Sequence, residues 1–216
     1  MERVAVLQTE LFPTAKPLPG VETLLAKLLS TQKTSNPVHI ALATSSHAKN
    51  YELKTNHLSD LFASFPASQR VLGDDPRIDK GRGKPLPDIY LLALKTINDG
   101  LRAKGEKEIT PQECLVFEDA VTGVEAGRRA GMRVIWCPHP GLRNAYLGRE
   151  AEVLAGLTGE HKEAEKSEAE KEAQGLMTER LQGSGTPGKM GDELGELLET
   201  LQDFPYEKYG IQPENA

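Results

Sequence analysis

CLVFEDAVTGVEAGRRAGMRVIW, residues 114–136, is the stretch that decides the fold. It opens on an apolar run, Cys114-Leu115-Val116-Phe117, that stops at two carboxylates, Glu118 and Asp119. A helical segment follows, with apolar or small residues at Val121, Val124, Ala126 and Ala130. Gly131 ends it, and residues 132–136 form a second apolar run. Strand, turn, helix and strand in this order predict a βαβ unit in a parallel sheet. In open α/β sheets, ligands sit beyond the carboxyl ends of the strands. Glu118 and Asp119 occupy such an end, and hard oxygen donors of this kind suit Mg²⁺. A second role fits Asp119 on local grounds: capping the first amides of the helix that starts near Val121.

Upstream, Val21, Leu24, Leu25, Leu28 and Leu29 have the spacing of an amphipathic helix over 21–30. Residues 38–43, VHIALA, read as a short buried parallel strand. It ends at Thr44-Ser45-Ser46, before a predicted helix over 47–56. Hydroxyls and free helix N-terminal amides together make a cradle for an anion. The same residue types also serve as ordinary helix caps. Residues 73–87, GDDPRIDKGRGKPLP, form a loop in which Asp74, Asp75 and Asp79 read as solvated. Lys84 stands apart there, just before a helix predicted over 88–103, with Pro87 suited to its first turn. Residues 142–154 are expected to be helical. A polar stretch containing EHKEAEKSEAEKEAQ (160–174) and GSGTPGKMG (183–191) reads as a disordered insertion. Leu194, Leu197, Leu198 and Leu201 then restore a helical period.

The 216 residues carry a net charge of −6, which argues against a nucleic-acid partner. No apolar run is long enough to span a bilayer, and the N-terminus lacks a signal-peptide pattern. Cys114 and Cys137, each in an apolar run, read as buried thiols of a reducing compartment, so a cytoplasmic location is expected.

Hydroxyls at Thr44-Ser45, a lysine at Lys84 and acids at Glu118-Asp119 recur at successive strand or loop ends. Together they predict a site for a phosphate and a divalent cation: hydroxyls hold phosphoryl oxygens, lysine offsets their charge and acids hold Mg²⁺. The sequence resembles the haloacid dehalogenase (HAD) superfamily, in its pseudouridine-5′-phosphatase-like and β-phosphoglucomutase-like phosphatase branch. ALATSS at 41–46 is similar to the second motif of that family, which implies Thr44 as a phosphate-binding, catalytic hydroxyl with Ser45 beside it. GRGKPLPDIYLLAL at 81–94 is similar to the third, with Lys84 as its catalytic, phosphate-binding lysine. VFEDAVTGVEAGRRAGM at 116–132 is similar to the fourth, with Asp119 as magnesium ligand and Glu118 as its acidic neighbour. LPGVETLLAKL at 18–28 resembles the helix that re-enters the core after the cap, and LETLQDFPYEKYGI at 198–211 the family's ending.

The resemblance implies an α/β, Rossmann-like core with a parallel sheet and flanking helices. It implies a remnant of the cap helix at 1–17, the core at 18–155, the insertion at 156–190, and a C-terminal helix and tail of the core at 191–216. The expected activity is Mg²⁺-dependent hydrolysis of a phosphomonoester on a small phosphorylated metabolite, by a monomer without nucleic-acid or membrane partners. The family's first motif, an apolar strand followed by Asp-x-Asp-Gly-Thr, has no counterpart in these residues. That implies a core without its first, central strand and without most of the helical cap. It also implies loss of the covalent step, because the attacking carboxylate is missing. A chain that binds a phosphorylated ligand or a partner without turnover is the alternative expectation.

Overall fold

The computed structural model describes residues 2–159 and 185–214, so most of the stretch expected as a disordered insertion lies outside the described residues. The chain divides into two compact units, Met1–Asp75 with Thr200–Ala216, and Pro76–Glu199. The division runs through the segment 18–155 expected as one core.

In the first unit, α1 (Glu2–Leu11) leaves Val4, Leu7 and Leu11 exposed. Helix α2 (Val21–Ser30) buries Leu24 and Leu28 of its predicted stripe. Gly20 precedes it with a φ of 91°, and a Cβ there would overlap the backbone of Leu201 and Gln202. Glycine therefore lets the C-terminal tail lie directly on this turn, and Leu201 N–H donates to Pro19 O at 3.1 Å. Residues 38–43 differ from the buried strand expected. Only β1 (Leu42–Ala43) enters a ladder, and the run is half-buried. A parallel strand is buried when helices cover its faces and strands flank it. Here the ladder consists of two residues against β2 (Arg70–Val71), in register Leu42 with Arg70 and Ala43 with Val71. Between them lie α3 (Ala48–Thr55) and α4 (Ser59–Phe62).

In the second unit, α5 (Asp88–Ala103) has the predicted bounds and buries Ile89, Leu92, Ala93 and Ile97. The predicted βαβ unit is present as β3 (Leu115–Glu118), α6 (Val121–Arg129) and β4 (Arg133–Trp136). Gly127 lets α6 lie close on the sheet: a Cβ there would sit 2.7 Å from Val134 Cγ2. Gly131, with a φ of 76°, takes the left-handed conformation that follows a helix end. The segment expected as one helix over 142–154 is two, α7 (Pro140–Ala145) and α8 (Glu150–Ala155), separated at Gly148 with a φ of 80°.

The helix expected over 192–201 is a strand, β5 (Gly195–Leu197). The leucine spacing fits a helix, but Gly191 and Glu193 have positive φ and break it. Gly195 also approaches α8 so closely that a Cβ would lie 2.9 Å from Leu154 Cβ. The free edge of β4 takes this segment in parallel, giving a three-stranded sheet of order β3-β4-β5. With a strand on each side and α6 against it, β4 has Val134, Ile135 and Trp136 fully buried. The register aligns Glu118 with Trp136 and Trp136 with Leu197, so all three strands end together. Parallel ladders flanked by helices make this an α/β, Rossmann-like fold.

Candidate functional site

The carboxyl end of β3 carries the charged cluster. Lys84 Nζ donates to Glu118 Oε1, and the Tyr90 hydroxyl donates to the same oxygen. Glu118 Oε2 accepts the Ala120 N–H at 3.2 Å. The Lys84 and Glu118 side chains are only 9% and 6% exposed. Removing two charges from water is costly, and such a pair persists only when further donors complete it. Burial, with the Glu118 charge added to it, pushes the Tyr90 hydroxyl well above its usual range, so it stays a proton donor. Gly123, one turn into α6, leaves room for the cluster: a Cβ there would overlap the Glu118 carboxylate.

The loop that carries Lys84 is fastened at its base. Arg82 grips Asp88, the first residue of α5, through two bonds of 2.5 and 2.9 Å. Planar guanidinium on carboxylate fixes orientation as well as distance. Pro87 caps α5 rather than opening it. Lys84 is thus presented from a loop held at the helix start.

Asp119 follows Glu118 and is exposed. It does not cap α6, whose N-cap is Ala120 without a side-chain bond. Its backbone carbonyl accepts the Trp136 indole N–H at 3.2 Å, which ties the turn to the buried end of β4. Its charge reaches Cys137, where burial first and Asp119 second push the thiol up. Cys137 is buried as expected, whereas Cys114 is part-exposed, its thiol pushed up to about 12 chiefly by burial.

Thr44 and Ser45 lie in the other unit, at the end of β1. Thr44 Oγ1 accepts the Ser46 N–H at 3.1 Å, closing a local turn. Lys54 donates to Ser46 Oγ at 3.0 Å. Ser45 is exposed. One of the helix N-terminal amides expected for an anion is taken: Asp74, expected as solvated, accepts the Ala48 N–H at 3.0 and 3.2 Å. Gly73 donates to Ser46 O at 3.0 Å, and a Cβ on it would overlap the Ser45 carbonyl.

Of the five residues singled out from the sequence, the second unit joins Lys84 to Glu118 directly, with Asp119 next in chain. Glu118, expected to bind metal, has both oxygens engaged by protein donors. Among the described residues no three His, Cys, Asp or Glu side chains cluster as a metal site. Mg²⁺ keeps several waters and needs only one or two carboxylates beside its ligand's oxygens. The exposed Asp119 carboxylate fits that role by its donor chemistry. Sequence reading passed over Tyr90, Arg82 and Gly123. Gly123 had a signal, since glycine inside a helix costs stability and marks a close approach. Arg82 and Tyr90 lie within residues 81–94, the stretch similar to the third motif, but a tyrosine on an apolar helix face and an arginine in a polar loop are ordinary in themselves.

A family model of haloacid dehalogenase-like hydrolases matches residues 4–131. The chain is 44% identical over 155 residues to a probable pseudouridine-5′-phosphatase of Saccharomyces cerevisiae, covering 72% of this chain and 61% of that relative. It is 40% identical over 149 residues to an uncharacterized protein of Schizosaccharomyces pombe, covering 69% and 57%. To a mitochondrial (DL)-glycerol-3-phosphatase of Arabidopsis thaliana it is 37% identical over 157 residues, covering 73% and 47%. The matched part thus spans 47 to 61% of the length of these relatives. No helix among the described residues is long and apolar enough to cross a membrane. With the family model matching residues 4–131, more than half of this chain, the chain belongs to the haloacid dehalogenase-like hydrolases.

Proposed function

We propose that this chain carries the phosphoryl-binding part of a Mg²⁺-dependent phosphomonoesterase that acts on small phosphorylated metabolites. The observation that carries the reading is the buried Lys84–Glu118 pair beside the exposed Asp119 at one strand end. Lys84 supplies the positive charge that a phosphoryl group requires. Glu118 keeps that charge in place, and Asp119 offers a hard oxygen to the cation. Bound Mg²⁺ would neutralise charge developing on the phosphoryl oxygens. Thr44 and Ser45 keep the phosphate-binding role that the family resemblance gives them. Relatives named for pseudouridine-5′-phosphate and glycerol-3-phosphate hydrolysis support nucleoside-like or polyol phosphates as the substrate class. Free cysteines fit the reducing cytosol, and a monomer is the simplest assembly.

A second reading is binding without turnover. It is favoured by one sequence fact: Asp-x-Asp-Gly does not occur in the 216 residues. In the family that the chain resembles, the covalent step belongs to a carboxylate of that motif. The two readings separate in one experiment on the full chain. Release of inorganic phosphate is measured over phosphorylated sugars, nucleotides and glycerol phosphate with Mg²⁺, while calorimetry follows phosphate binding. Turnover that disappears in Asp119→Asn establishes the hydrolase. Binding without turnover, lost in Lys84→Ala, establishes the binder. Absence of both in the wild-type chain overturns the site.

A further inference from the structure

The Lys84–Glu118 pair has a third partner, Tyr90, which lies within the third motif but has no role in the proposed chemistry. Tyr90 is the third residue of α5 and is 8% exposed. Its hydroxyl donates to Glu118 Oε1, the oxygen that also takes the Lys84 ammonium. Its ring lies beneath that ammonium, with Lys84 Nζ 4.9 Å from the ring centroid. The three contacts close a triangle: ammonium on ring, ammonium on carboxylate, hydroxyl on carboxylate. An ammonium over an aromatic face is attracted by the ring quadrupole. A carboxylate that accepts two donors on one oxygen is held in orientation as well as charge. The remaining sides are closed too. Oε2 takes the Ala120 amide, and the carboxylate presses on Gly123 with no room for a Cβ.

The geometry points to Tyr90 as the positioning residue of this centre. It turns Glu118 toward Lys84, keeps the ammonium at the carboxyl end of β3, and so leaves Asp119 as the acid for a cation. The use of the positioned ammonium for a phosphoryl group and of Asp119 for a cation rests on the reading above; the positioning itself does not.

Phenylalanine at this position keeps the ring and removes the donor; leucine removes both. The wild-type, Tyr90→Phe and Tyr90→Leu chains of 216 residues are treated with an amine-acylating reagent. The rate at each lysine is read by mass spectrometry, with and without inorganic phosphate. In Tyr90→Phe, Lys84 is expected to react about three- to tenfold faster, the population effect of one net hydrogen bond. Lys54 and Lys95 are expected to keep their wild-type rates, and Tyr90→Leu to raise the Lys84 rate further. An unchanged Lys84 rate in Tyr90→Phe overturns the proposal. So does an equal rise at every lysine together with a lower melting temperature, which is the signature of a purely structural tyrosine. If Tyr90→Leu does not fold, the phenylalanine variant decides alone. Phosphate separates the two inferences. Faster Lys84 acylation in Tyr90→Phe with no phosphate protection in any chain upholds the positioning role and rejects the phosphoryl site. Phosphate protection with an unchanged Tyr90→Phe rate does the reverse.

Discussion

The ends of β3 and β1 begin from one local recipe, an apolar run that stops at polar side chains, and they finish differently. At the end of β3, charges hold charges: Lys84, Glu118 and Tyr90 interlock, and four residue pairs tie β3 to β4 beneath them. At the end of β1 the charged side chains Asp74 and Lys54 bond to neutral groups, and backbone bonds do most of the holding. The Gly73 N–H donates to the Ser46 carbonyl, Thr44 closes a turn, and a two-residue ladder lies beneath. The first end fails if an ionic partner is removed, because a buried charge then loses its counter-charge. The second fails if its close backbone approach or its cap is disturbed.

The largest effect is expected from Glu118→Ala. Leaving the Lys84 ammonium buried without its carboxylate costs about 3–5 kcal/mol, read as a fall in urea-unfolding free energy. Replacing both members by apolar residues, Lys84→Met with Glu118→Leu, should recover most of it. Failure to recover would place the cost in packing rather than in charge. The two glycines come next. Gly73→Ala and Gly123→Ala should each lose about 1–3 kcal/mol from overpacking, seen by thermal melts. They differ in rescue. Gly123 meets the tip of a side chain, so adding Glu118→Ala should relieve its penalty in a double-mutant cycle. Gly73 meets the Ser45 carbonyl, which no side-chain change moves. Equal rescue of both would erase the contrast between the two ends.

Asp74→Ala should cost about 1 kcal/mol through the lost cap on α3. Faster hydrogen exchange at the Ala48 amide checks it, and an unchanged rate would deny Asp74 that role. The smallest effect on stability belongs to Asp119→Asn. An exposed carboxylate outside the buried cluster should change unfolding free energy by less than about 0.5 kcal/mol. A larger fall would mean that Asp119 holds structure and is not reserved for a cation.

Much of the second unit is legible in the sequence. The bounds of α5 and the order β3-α6-β4 follow from periodicity and from breakers such as Gly131, which act within a few residues. The segment at 192–201 was misread for a related reason. Its leucines repeat at a helical interval, yet the open edge of β4 and the glycines at 191 and 195 make it a strand. Nothing local reports a vacant strand edge. Residues 38–43 show the converse, since an apolar run becomes a buried strand only with partners on its flanks.

The site divides along the same line. Local chemistry is enough to mark Thr44, Ser45, Lys84, Glu118 and Asp119, because hydroxyls, a lysine and paired acids at strand or loop ends stand out in the one-dimensional text. What those side chains do to one another was decided only by folding. Glu118 became the anchor of Lys84 because residues 34 positions apart meet away from solvent, where an ammonium requires a partner. Tyr90 and Gly123 joined them because hydrogen bonding and close packing act through space, and a linear order of residues carries no record of that distance.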